Sequence, residues 1–447
     1  MIRQPLDPEA MIALLREGRV SEFVGRARML EPADLADVLA RADDDERVEI
    51  VKLLPPELTG EALIEMPDEE HAEDTLAALS AEQAANIVTE MPDDDAADIL
   101  GELPPEQQRR ILSKVDVEER RDVERLLGYH EETAGGLMTG QMVTVDQDLS
   151  VGEAIESIRK QAEEVENFAE TYAVDAHRRL TGVLSFKRLV LSDPQGRVRE
   201  LMEEPDVTVG PEMDQEEVAR LMARYNVPSI PVVDRDGLLL GRITFDDVTD
   251  VVEAETTEDL LRFGGVSADE ELGAGWREAV RSRLPWLGVN LLTAFVAGGV
   301  VAMFQDRIAQ MVALAIWMPI IAGMGGNTGT QALAVTVRRL ALGAISTDEF
   351  ARVVGKEALV GVTNGAAIGL VALMVSLLSN QSPMFGVLVF LAMTGNLFVA
   401  GFAGAFVPLV LKRFKIDPAI ASSIFVTTFT DVCGFLLLLG LAGVLLL

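Results

Sequence analysis

The chain has 447 residues, room for two or three domains, and 72 Asp and Glu stand against 38 Lys and Arg for a formal net charge of −34. That sign argues against a nucleic-acid binder, which needs a basic face, and against docking of the soluble part on anionic lipid. It leaves divalent cations, held through hard carboxylate oxygens, or charge that serves solubility alone.

Residues 1–130 contain a short repeat. LLPPE from Leu53, MPDEE from Met66, LSAEQ from Leu79, MPDDD from Met91 and LPPEQ from Leu103 follow one another at 12 to 13 residues. Each unit reads as a Pro or Ser at a helix start, acids in the first turn, then apolar residues such as Ala97, Ile99 and Leu100. Helices this short bury no face alone, so a stacked helical array is expected. The opening MIRQPLDPEAMIALL lacks the basic-then-apolar start of a signal peptide. The single cysteine, Cys433, leaves no intrachain disulfide framework and fits a reducing compartment for the soluble part.

A tandem pair follows over about 137–255. Leu137-Met138 opens one unit and Leu201-Met202 the other. Each continues with a strand (VTV at 143–145 and 207–209), an amphipathic helix, a strand ending Val-Asp, and a Gly-led strand with its helix. Alternation of this kind implies two α/β modules packed together. The pattern resembles a CBS-domain pair, with units at 131–199 and 200–256. Such pairs often bind adenine nucleotides. Thr244 and Asp247 would form one half-site for ATP or a relative, while the first unit has Ser185 but Arg188 in place of the acid. The other reading is a regulatory dimerisation module.

Residues 246–275 read as an acidic connector. On a helix Asp247, Asp250, Val251, Glu255, Glu258 and Asp259 fall at spacings of three and four, so repulsion among the acids calls for counter-cations or a partner.

The character of the chain changes near residue 283. Beyond it lie only six of the 72 acids and eight of the 38 bases, so the first part carries −36 and the remainder +2. Five candidate spans, roughly 284–304, 310–335, 354–379, 384–411 and 418–446, approach or exceed the ~20 residues that cross a bilayer. Arg281, Arg283, Arg338, Arg339, Arg352, Lys356, Lys412, Arg413 and Lys415 all sort to one side. The positive-inside rule then puts the N-terminus in the cytoplasm and the C-terminus outside a plasma or inner membrane.

Within the last span lies Asp431, and a carboxylate at that depth costs roughly 3 kcal/mol or more, so it calls for a function or a partner. Five helices leave little room for a pore in one subunit. A homodimer with two copies of Asp431 across its axis is the economical arrangement. Thr427, Thr428 and Thr430 add hydroxyls beside it, suited to a hydrated ion or to helix packing. The second span contains PIIAGMGGNTGTQ, in which Pro319 and four glycines should weaken or break the helix while Asn327, Thr328, Thr330 and Gln331 supply neutral oxygens.

With these residues in view the chain resembles the MgtE family of magnesium channels and transporters. The carrying features are the acidic helical N-domain (1–130), the CBS pair, the acidic connector (246–275), GGNTGTQ at 325–331 and DPAIASSIFVTTFTDVCG at 417–434. The resemblance implies a multidomain fold: an all-α superhelical N-domain, the α/β pair, a connector or plug helix, and a five-helix transmembrane domain over 276–447. It also implies a non-enzymatic dimer whose fifth membrane helix selects Mg²⁺ through Asp431. Cytosolic Mg²⁺ would close the pore by binding Asp94, Asp98, Asp214, Glu216, Asp247, Asp250, Glu255, Glu258, Asp259 and Asp417. Asn226, in ARYNVP, departs from the acid expected there.

No phosphate loop GxxxxGK[ST] is present, and none is required. A divalent cation entering a cell at 100 mV, negative inside, gains about 4.6 kcal/mol. The rival readings are a proton- or sodium-coupled divalent exchanger, which should hold more than one buried carboxylate, and a membrane sensor that transports nothing. An intramembrane aspartyl protease would need two acids on separate helices.

Overall fold

Each short helix of the N-terminal region begins where a proline, a capping side chain or an acid sets its first turn. The ten are α1 (Pro8–Arg16), α2 (Val20–Ala27), α3 (Pro32–Arg41), α4 (Asp44–Leu53), α5 (Pro56–Ile64), α6 (Ala72–Ala78), α7 (Ala81–Val88), α8 (Asp93–Gly101), α9 (Pro105–Leu112) and α10 (Val117–Leu126). Pro opens α1, α3, α5 and α9, and capping boxes at Asp43/Glu46 and Ser80/Gln83 open α4 and α7. The computed structural model describes residues 7–67, 70–162, 165, 168–267, 275–341, 345, 349–414, 416 and 422–446. Two compact units divide the chain, 1–253 and 254–447.

In the first unit helices pack on their next-but-one neighbours: α1 on α3, α3 on α5, α5 on α7, α7 on α9, and in parallel α4 on α6, α6 on α8, α8 on α10. The repeat is therefore a two-layered helical stack. Its shared core includes Phe23, Leu35, Ile50, Leu63, Leu76, Leu100 and Ile111. Arg47 is buried in it, donating through Nε to Leu39 O at 3.1 Å and pairing with the Glu70 carboxylate at 3.0 Å.

The pair of α/β units comes next: α11 (Ala134–Leu137), β1 (Thr144–Asp146), α12 (Val151–Gln161), β2 (Glu170–Val174), β3 (Leu180–Ser185), α13 (Phe186–Leu191), α14 (Val198–Leu201), α15 (Gln215–Tyr225), β4 (Ser229–Val233), β5 (Leu239–Thr244) and α16 (Phe245–Phe263). β1 pairs parallel with β2, and β2 antiparallel with β3. In the second unit β4 pairs antiparallel with β5, but the expected strand at 207–209 is reduced to one parallel bridge, Val209 to Val232. Tyr172 and Ser229, both buried, join the two units through a 2.6 Å hydrogen bond between hydroxyls. α16 carries the chain on into the second unit.

There the elements are α17 (Trp276–Met303), α18 (Gln305–Gln310), α19 (Ala313–Ala341), α20 (Phe350–Leu378), α21 (Pro383–Arg413) and α22 (Ser422–Leu445). Among the described residues four helices are long and apolar enough to cross a membrane: α17, α20, α21 and residues Ile424–Leu445 of α22. α19 is as long, at 29 residues, with the polar GGNTGTQ at its middle. The expected helix break does not occur, for α19 runs unbroken through Pro319 and the glycines. The reason is packing: Gly325 and Gly329 are buried against α21 and α22, and tertiary burial overrides weak helix propensity. α21 is the central helix, in contact with α19, α20 and α22.

Candidate cation sites

The first candidate site lies within the first unit, where the start of α8 meets the start of α16. Asp93, Asp94 and Asp95 fill the first turn of α8, where the helix dipole favours acids. Asp93 is satisfied: its Oδ1 accepts from Thr139 Oγ1 at 2.6 Å and from Gly140 N at 3.1 Å. A side chain at Gly140 would strike Asp93 Oδ2 at 2.6 Å and Arg125 Nη2 at 2.7 Å, so glycine is what lets the carboxylate close in.

Asp94 is buried as well, yet its Oδ1 has no hydrogen-bond partner among the described residues. Burial, then the charges of Asp95, Asp247 and Asp93, hold its carboxyl well above the usual range. Burial with Asp247, Asp98, Asp246 and Asp93 pushes Asp95 up to about 7. Burial also raises Asp247, against the opposing effect of Thr244, whose Oγ1 and N donate to Asp247 Oδ2 at 2.5 and 3.1 Å. Asp250 is raised by partial burial and then by Asp247. Seven acids thus share one neighbourhood, in which Arg242 offsets the rise of Asp247 only in part. Among the described residues no three such side chains converge tightly enough to enclose a metal.

Of the expected regulatory acids, Asp94, Asp98, Asp247 and Asp250 are brought together. Asp93, Asp95 and Asp246 were missed, although MPDDD and FDD display them. Asp214 is exposed and caps α15, accepting from Glu216 N at 2.9 Å. Asn226 ends that helix at φ 53°, a left-handed conformation that Asn tolerates well. Glu255, Glu258 and Asp259 continue along α16 in the second unit, with Glu258 paired to Arg262. Asp417 and residues 268–274 of the connector lie outside the described residues.

The second candidate site is on α22. Asp431 is half-buried, and no cation or donor reaches its carboxylate among the described residues. Thr427, one turn earlier, is exposed on the same face. Thr428 Oγ1 donates to Ile424 O at 2.7 Å. Thr430 turns inward, fully buried, and donates to Thr427 O at 2.9 Å. On α19, Asn327 and Gln331 share an exposed face while Thr328 is buried in the bundle. Two polar groups escaped sequence reasoning. Glu357 is a second buried carboxylate, on α20, and its Oε1 lies 3.2 Å from Lys356 Nζ. Asn396 is the one amide in α21 and is fully buried.

A third feature is a cleft of 430 Å³ between the two α/β units, lined among others by Ser185, Val207 and Ser229. Neither Thr244 nor Asp247 lines it; they bond each other instead.

The profile of the MgtE intracellular N domain matches residues 30–132, that of the CBS domain 198–254, and that of the MgtE divalent cation transporters 318–441. The magnesium transporter MgtE of Bacillus subtilis (strain 168) is 34% identical over 320 residues, 72% of this chain and 71% of that one. The magnesium transporter MgtE of Thermus thermophilus is 37% identical over 327 residues, 73% and 72% of the two chains.

The chain belongs to the MgtE family.

It is therefore a multi-pass membrane protein of a transporter family and not an enzyme. Among solved structures, the cytosolic domain of the Mg²⁺ channel MgtE in complex with ATP aligns over 55% of this chain and 100% of that one, with a TM-score of 0.51 and 35% identity. Glu170, Glu203, Glu204 and Asp206 line the cleft between the two α/β units, and among the described residues no lysine or arginine does. Arg188, at its edge in sequence, is paired with Glu203. Burial and the neighbouring Asp206 already raise Glu170. This donor set does not fit a polyphosphate.

Proposed function

We propose that this protein is a Mg²⁺-selective, voltage-driven channel or transporter of the cell membrane, closed from inside by the ion it admits. The observation that carries the reading is Asp431: a half-buried carboxylate, with no counter-charge among the described residues, on a membrane-length helix in a chain of the MgtE family. It acts as a homodimer, in which two Asp431 side chains face a common passage and meet Mg²⁺ that keeps most of its water. The N-terminus is cytoplasmic and the C-terminus outside.

The helical stack at 1–130, the α/β pair at 131–256 and the connector at 246–275 form the regulator. Without Mg²⁺, Asp94, Asp95, Asp247 and Asp250 repel and hold the first unit loose. With Mg²⁺ the orphaned Asp94 Oδ1 and its neighbours gain a counter-ion, and the contracted unit draws the connector toward closure. Moving the gate from 1:99 to 99:1 takes about 5.5 kcal/mol of differential binding, within reach of several weak sites per dimer. Lys356 neutralises Glu357, which disfavours a coupled exchanger needing a second free acid. Nucleotide has no part in this reading, because the cleft is lined by carboxylates.

The test is Mg²⁺ flux into proteoliposomes at zero and at imposed voltage, with Mg²⁺ varied on the cytoplasmic side. Flux driven by voltage and shut by internal Mg²⁺ is the expected result. Flux at zero voltage that follows a proton gradient would replace the channel with an exchanger.

A further inference from the structure

The carboxamide of Asn396 lies where α19, α21 and α22 meet. Its side chain is fully buried, its Nδ2 donates to Ile321 O of α19 at 2.9 Å, and its Oδ1 has no partner among the described residues. A buried acceptor left unpaired is rare and calls for a physical reason. Two glycines make room for the group. A methyl at Gly325 would collide with Asn396 Nδ2 and come within 3.1 Å of Thr430 Cβ. One at Gly434 would sit 2.9 Å from Nδ2 and 3.2 Å from Oδ1. Thr430 precedes Asp431 and Gly434 follows it by three residues, so the amide is bedded against the turn of α22 that carries the acid. On the same buried face of that turn Thr430 Oγ1 donates to Thr427 O within α22.

We infer that Asn396 is a positioning residue for ion passage: tethered to the α19 backbone, it is the stop against which α22 sets the direction of Asp431. The asymmetry matters. The amide is bonded to α19 but only abuts α22, so α22 can turn against a fixed point without breaking a hydrogen bond. Small rotations of the turn then change how Asp431 meets a hydrated ion, which is where one divalent cation is told from another. The inference rests on the reading of Asp431 given above.

The test compares Mg²⁺ and Co²⁺ influx into proteoliposomes for Asn396→Leu, Asn396→Ser and Gly434→Ala in the full chain, with Asp431→Asn as reference. Asn396→Leu keeps the volume and removes the tether; Gly434→Ala keeps the tether and displaces the amide. Folding is checked by melting temperature and dimer elution, and where Asn396→Leu fails that check the other two decide. The expected result is a fall in Mg²⁺ influx of about tenfold, with the Mg²⁺ to Co²⁺ ratio changed at least about threefold in the same direction by the folded variants. A loss of influx with the ratio unchanged marks simple packing and overturns the inference. Native influx and ratio in the folded variants, with Asp431→Asn inactive, overturn it and leave the reading of Asp431 standing. Asp431→Asn conducting normally removes both.

Discussion

The hydroxyl of Thr139 donates to Asp93 Oδ1 at 2.6 Å, tying the loop that leads into the first α/β unit to the first turn of α8. That bond and the amide of Gly140 use the charge of Asp93, while Asp94 and Asp95 beside it have no equal compensation. One acid of the triplet is thus an anchor, and the two that follow carry stored repulsion. Asp93→Ala should destabilise the protein by about 1–3 kcal/mol, because the buried Thr139 hydroxyl and Gly140 N–H lose their acceptor. Asp94→Asn should raise the melting temperature in Mg²⁺-free buffer. Calorimetry of both variants checks this, and equal effects of the same sign would refute the division of roles.

Acidity should act on the same cluster in a definite direction. The folded Asp95 carboxyl, at about 7, lies above its ordinary value of 3.8, so the folded state binds the proton more tightly than the unfolded chain. Its contribution is full below the unfolded value and is lost as pH rises through the folded one. Without Mg²⁺, stability should therefore fall between about pH 4 and pH 7, and Asp95→Asn should flatten that slope. Mg²⁺ competes with the proton and should flatten it too, which thermal melts at each pH measure.

The acids at the start of α16 should govern closure. Asp247→Asn combined with Asp250→Asn removes two of the charges that a cation neutralises. The concentration of internal Mg²⁺ giving half-closure should rise about threefold or more, with maximal flux retained. Unchanged inhibition in proteoliposomes would take both residues out of the gate.

Asp431 should govern passage and not assembly. Asp431→Ala leaves a smaller neutral side chain on an intact α22, so elution as a dimer should persist while voltage-driven Mg²⁺ influx disappears. Substantial flux from the variant would contradict the role proposed for it.

The 430 Å³ cleft should reject ATP. Titration calorimetry of the full-length protein should show no saturable heat at millimolar ATP. Replacing Glu170 and Asp206 together with their amides removes two of four lining carboxylates and should strengthen any residual binding. Tight binding by the native chain would mean that Arg188 leaves Glu203 to meet the phosphates.

Much of the design was legible in the chain itself. The 12 to 13-residue repeat foretold the helical stack, because each helix of seven to ten residues has too little apolar face to stand alone. The acid runs foretold a cluster of carboxylates, and the depth of Asp431 in an apolar stretch set it apart from the other acids. Boundaries of the membrane helices followed hydropathy to within a few residues at most ends. The strand at 207–209 did not follow its twin, since a run of three residues carries too little pattern to hold its own pairing against the sheet it joins. The glycines of α19 misled for a different reason: propensity describes an isolated helix, and α19 is nowhere isolated.

What the sequence determined by itself was periodicity, depth and charge, which are properties of neighbours along the chain. What only the tertiary structure decided was which polar groups are compensated. Asp93 and Asp94 are adjacent in sequence and chemically alike, yet one meets Thr139 and Gly140 while the other keeps an orphaned oxygen. Asn396 reads as one amide in an apolar helix until α19 and α22 close around it. Hydrogen bonds and buried charge depend on atoms a few ångströms apart in space, and folding sets those distances between residues that the linear order holds far apart.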